Sequence, residues 1–124
     1  MISAVVIVLA GALIFSVLPM AGYESDVGKV GQGRPAVVLA FENYAPASMD
    51  TMDAFGRVRR DYGDQIEFLV ADLGSPRGRA FVERHNAHTG QVLTFRGDGT
   101  RVRVALLHGG EQALRERLQQ DLGL

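Results

Sequence analysis

Apolar residues along this chain fall into three patterns. From Ile2 to Gly22 they run on without one charged side chain. From Pro35 onward they come either as short bursts or at three- and four-residue steps. The bursts predict strands. Pro35 to Phe41 is a continuous apolar run, the pattern of a strand buried on both faces. Ile66 to Ala71 predicts a second, mostly buried strand. Gln91–Arg96 and Arg101–Leu107 flank Gly97-Asp98-Gly99-Thr100, which predicts a hairpin with a turn of the Asp-Gly kind. The stepped segments predict helices. Met52, Phe55, Val58 and Tyr62 share one face of a helix expected to begin near Ser48 as its N-cap, with Asp50 in the first turn, and to end at Gly63. Ser75-Pro76 is a cap followed by proline at the first helical position, so a helix should run from there to about His85. After Gly109-Gly110, Leu114, Leu118 and Leu122 form the stripe of a final helix. The first two strands require a parallel crossover and the last two pair antiparallel. The expectation is an α/β domain: a mixed β-sheet with helices on both faces.

The amino-terminal run has the roughly 20-residue length that a helix needs to cross a hydrocarbon core. Ser3 and Ser16 are its polar interruptions, Pro19 falls in the last turn, and Tyr23 sits where an interfacial aromatic belongs. A cleaved signal peptide is the competing reading. It wants a basic leader, and only Met1, Ile2 and Ser3 precede the run; Pro19 and Ala21 make a poor cleavage site. The division expected is therefore a transmembrane helix over 1–23, a glycine-rich linker over 24–34 and a globular domain over 35–124. The lipid bilayer is one expected partner. Gly11, Ala12 and Ser16 offer small side chains for contact with another membrane helix, with Ala12 and Ser16 in small-xxx-small spacing.

Composition narrows the chemistry. The chain has 124 residues, and without its first two dozen about a hundred remain, enough for one compact domain. Net charge is -1 and no aromatic platform accompanies the basic residues, so nucleic acid is not an expected partner. Every basic residue except Lys29 is arginine. The cluster Arg57, Arg59 and Arg60 reads as a solvated helix face or a docking patch. Cysteine is absent, which removes disulfides, thiolate metal sites and thiol exchange together. His85 and His88 are three apart, but the helix should end at Asn86 and no acidic ligand stands beside them. They read as surface or dipole-compensating residues rather than metal ligands. Gly97-Asp98-Gly99 is too short and too poor in carboxylates for a calcium loop. Gly109-Gly110 fits neither the P-loop nor the dinucleotide fingerprint. No metal and no cofactor are expected. Ser48 would need a base and an orienting third group to act as a nucleophile, and His85, His88 and His108 all lie outside its loop.

Residues Pro35 to Leu122 resemble a thioredoxin-like domain along nearly their whole length, in element order and spacing. In that family the first of these strands leads to an aromatic-Cys-x-x-Cys motif at a helix start. The matching stretch here is Tyr44-Ala45-Pro46-Ala47-Ser48, so the cysteine positions fall on Ala45 and Ser48. The family's buried acid would align with Leu39 and its cis-proline near Gly90. The resemblance implies the fold, and the missing elements argue against its redox activity. The expected function is a non-enzymatic, membrane-anchored accessory or assembly subunit that docks onto an integral membrane protein complex. The alternative is a tethered peptide-binding or chaperone-like module using the groove around Tyr44, Pro46 and Gly90. Lys29 and Arg34 follow the span, which by the positive-inside rule would place the domain in the cytoplasm. Anchored relatives of this kind in bacteria are commonly exported, and the extracytoplasmic side is the expected one.

Overall fold

The computed structural model describes residues 27–43 and 45–124, and the first apolar burst lies at its centre. Strand β1 (Ala36–Phe41) is buried at every position. Strand β2 (Glu67–Asp72) pairs with it in parallel, from Ala36 opposite Glu67 to Phe41 opposite Asp72. Strand β3 (Gln91–Phe95) lies antiparallel on the other side of β1, and β4 (Arg101–Leu106) antiparallel to β3. The sheet order is β2-β1-β3-β4, with β2 and β4 at the edges. Helices α1 (Pro46–Tyr62), α2 (Pro76–Arg84) and α3 (Gly110–Leu122) complete the mixed α/β fold.

Helices on both faces explain why β1 is continuously apolar rather than alternating. Val37, Leu39 and Phe41 point into a core shared with Phe55 and Val58 of α1 and Leu114 and Leu118 of α3. Ala36, Val38 and Ala40 point the other way, into a core shared with Phe81 and Val82 of α2. Each large aliphatic or aromatic side chain fully buried in this way contributes about 1.5–3 kcal/mol. Local chemistry sets the element ends. The Ser75 hydroxyl accepts from the Gly78 amide at 3.1 Å, and Pro76 takes the position where a missing N–H is harmless. In the hairpin, Arg96 N–H donates to the Thr100 carbonyl and Gly99 N–H to the Arg96 carbonyl, both at 2.9 Å. Gly99 supplies the positive φ, +93°, that this turn requires.

Two differences from the sequence reading have physical causes. Helix α1 starts before Ser48: Ala45 is the N-cap and Pro46 the first helical residue. Proline disfavours helical geometry in the residue before it, so Ala45 is extended and the helix begins at the proline. Ser48 therefore is no cap, and Asp50 falls beyond the first turn. The segment expected as a linker is partly folded. Val27–Lys29 form a 3-10 turn with Val27 buried, and Val30 packs against the core beneath α2. Arg34 then bonds the Gly63 carbonyl at 2.7 Å and pairs with Glu67. The expected span over 1–23, with Gly11, Ala12 and Ser16, lies outside the described residues, as does Tyr44. Among the described residues no helix is long and apolar enough to cross a membrane.

Candidate functional site

The loop after β1 and the start of α1 bring Ala45, Pro46 and Ser48 to the carboxyl end of the sheet's central strand. Ser48, third in the helix, turns inward and is wholly buried. Its hydroxyl donates to the Ala40 carbonyl at 3.4 Å and accepts from the Glu42 amide at 3.3 Å. Both bonds are long, but they place the oxygen against main chain rather than solvent. No histidine is among its partners, so nothing in this arrangement can activate it as a nucleophile. Ala45 offers no reactive atom, and Pro46 is exposed.

Gly90 meets the same junction from the other side. It has φ +85° and donates its N–H to the Ala40 carbonyl at 2.8 Å. A proline could do neither, because its ring fixes φ near −65° and it has no N–H. No cis peptide bond occurs among the described residues. Thr89, just before Gly90, donates its hydroxyl to the Glu42 carboxylate at 2.9 Å. The Ala40 carbonyl thus joins three elements: β1, the first turn of α1 and the entry to β3. The acid position, Leu39, is fully buried in the core beneath α1 and α3.

The remaining predicted residues do not join this junction. Arg57, Arg59 and Arg60 are exposed on α1, with Arg59 and Arg60 in its last turn, where positive charge suits the helix dipole. His85 is not a plain surface residue. Its ring lies 4.6 Å from that of Phe81 and 5.1 Å from that of Phe95, centroid to centroid. Burial first, then the charges of Arg101 and Arg84, hold its pKa below the usual histidine value. A largely neutral ring at the helix end cannot compensate the dipole. His88 is exposed, and no cluster of three or more metal-ligating side chains forms among the described residues.

Two features escaped the sequence reading. Asp121, 3 % exposed, bonds the buried Thr94 hydroxyl at 2.8 Å and pairs with Arg103 at 2.8 Å, tying α3 to β3 and β4. The polar pattern Thr94–Arg103 across a hairpin was a signal, but nothing local pointed to Asp121 as its partner. The second is a cleft of about 220 Å³ between α1 and the β4–α3 loop, lined by Asp50, Thr51, Leu106, Leu107, His108 and the Gly109-Gly110 turn. Leu106 is 42 % exposed there, large for an apolar side chain.

No family model matches this chain, and no curated protein matches its sequence. Solved structures do share its architecture. Trxlp from Edwardsiella tarda EIB202 aligns with TM-score 0.64 and 14% identity over 77% of this chain and 95% of that one. Malassezia sympodialis thioredoxin aligns with TM-score 0.63 and 13% identity over 79% and 88%. Fasciola hepatica thioredoxin aligns with TM-score 0.60 and 17% identity over 73% and 84%. At such identities the likeness carries the fold and nothing of the chemistry: this chain contains a thioredoxin-like α/β domain, and it has no cysteine.

Proposed function

We propose that this chain is a non-catalytic accessory subunit of a membrane protein complex, held at the bilayer by residues 1–23 and docking through its thioredoxin-like domain. The observation that carries the reading is the junction at Ala40. Where the resemblance places a reactive pair, this chain has Ala45 and a buried serine whose hydroxyl is bonded to main chain. A scaffold without reactive groups at that position retains binding as its use. The uncharged run from Ile2 to Gly22 supports attachment to a membrane. The domain is proposed to lie on the extracytoplasmic side. Peptide capture at the degenerate groove is the weaker reading, since Gly90 N–H is already bonded to Ala40 and Glu42 to Thr89.

Affinity purification of the full-length chain from mild detergent tests this. The expected result is co-purification, in fixed ratio, with at least one polytopic membrane protein. Recovery as a free monomer across several detergents would count decisively against it. Protease treatment of intact spheroplasts tests the side of the membrane: digestion of the domain is expected, and protection would place it inside.

A further inference from the structure

We propose that the free edge of β4 takes an added strand from a protein partner, one whose side chains alternate between carboxylate and apolar and which ends with an apolar residue in the cleft beside Leu106. This rests on the reading that the domain docks a protein, and it names where and what kind.

The hydrogen-bond register carries the first part. Glu67 N–H donates to Pro35 and Leu73 N–H to Phe41, so the odd-numbered residues of β1 turn toward β2. The even-numbered ones turn toward β3, where Ala36 faces Phe95 and Val38 faces Leu93. Val92 and Thr94 must then turn toward β4, where they face Ala105 and Arg103. Val104 and Leu106 are left with their main-chain groups pointing away from the sheet. Arg117 covers one of these, donating to the Leu106 carbonyl at 2.7 Å. The Val104 N–H and carbonyl and the Leu106 N–H have no partner among the described residues, which is the condition for strand addition.

Side chains define the occupant. Arg103 lies on the α3 side of the sheet, where it pairs with Asp121, and Val104 packs against the core on the α2 side. A strand laid along this edge would alternate between the same two environments, one basic and one apolar. Arg96, Arg101, Arg103 and Arg117 stand on or beside β4, against Asp98 and Asp121, in a chain whose net charge is -1. Arg101 donates to the His85 carbonyl and Arg117 to the Ala105 and Leu106 carbonyls, bonds to neutral groups that leave their charges uncompensated. Asp121 is already engaged by Arg103 and Thr94. Arg117 is held below the usual arginine range by burial and then by Arg103, so like charges crowd here. Arginines on an edge also deter pairing. What they deter is a neutral or basic strand, including β4 of a second copy, whereas a strand bearing carboxylates relieves the crowding. At the carboxyl end of the edge, half-exposed Leu106 and the cleft it lines with Leu107 provide an apolar seat.

The test uses the full-length chain in neutral detergent and a labelled ten-residue peptide alternating Glu and Val and ending in Leu. A peptide with Lys in place of Glu is the comparator. Saturable binding of the acidic peptide alone is expected, with affinity at least tenfold weaker in Val104→Pro. The proline removes an outward N–H and leaves the β3 ladder intact. Hydrogen exchange gives a readout without any variant: the Val104 and Leu106 amides should become protected when the acidic peptide is added. Equal binding by Val104→Pro, no saturable binding, or no protection at these amides would overturn the proposal. Displacement of the peptide by short-chain phosphatidylglycerol at similar concentration would also overturn it, assigning the arginines to lipid. A native complex that survives in Val104→Pro removes this edge from the account and leaves the accessory reading intact. A wild-type chain that binds the peptide but co-purifies with nothing does the reverse.

Discussion

Single side chains decide more here than their exposure suggests. Asp121 satisfies two partners from a nearly closed position. Asp121→Ala would strand the Thr94 hydroxyl and should lower unfolding free energy by about 1–3 kcal/mol, read from the urea midpoint. Asp121→Asn, which can still accept from Thr94, should lose less. His85 makes stability pH-dependent. Its folded pKa lies below the ordinary 6.5, so as pH falls the unfolded chain takes up the proton first. The stabilisation is present above about 6.5 and lost as pH falls through that value toward the lower folded one. The melting temperature should therefore drop between about pH 7 and pH 5, and His85→Phe should flatten that part of the profile. An unchanged slope in the variant would remove His85 as the cause. Phe81 stands one helical turn before His85 and is legible along the chain, but Phe95 comes to that ring from β3 and Asp121 reaches Thr94 from α3, which no local pattern displays.

At the scale of elements, the pattern of apolar residues was a good guide wherever burial was regular. Strands β1 and β2, the Ser75 cap, the hairpin and the stripe of α3 all lie where that pattern puts them. The start of α1 does not, because the cap signal of Ser48 is overridden by the proline two residues before it. Ala45-Pro46 settles the boundary through backbone sterics, and Ser48 is carried inward as a consequence. The folded part of the presumed linker was hidden for another reason: Val27 and Val30 are isolated valines that acquire meaning only against α2 and β2. Two glycines define how tightly elements meet. A Cβ on Gly78 would collide with the Asp72 main chain, which cannot swing aside as a side chain could. Gly78→Ala should cost about 1–3 kcal/mol by pushing α2 off β2. Gly90→Pro loses both the positive φ and the bond to Ala40, and should cost at least about 2 kcal/mol. Denaturant titration checks both; a Gly78→Ala midpoint equal to that of the parent would mean the helix can slide.

For the molecule as a whole, a near-neutral total conceals an uneven layout. Helix α1 balances Asp50, Asp53 and Asp61 against Arg57, Arg59 and Arg60, while Arg96, Arg101, Arg103 and Arg117 gather around β4. Arg96, Arg101 and Arg103 are close in sequence, and the fold adds Arg117 to them from α3. The Ala40 junction has a consequence of a different kind, for how the chain can change over time. Suppose thiol chemistry were to arise here by substitution. Cysteine at 48 alone would put sulfur against the Ala40 carbonyl, cysteine at 45 alone would have no partner, and proline at 90 alone would break the bond that holds β3's entry. No one of these substitutions supplies thiol exchange by itself, so that activity would need more than one of them together.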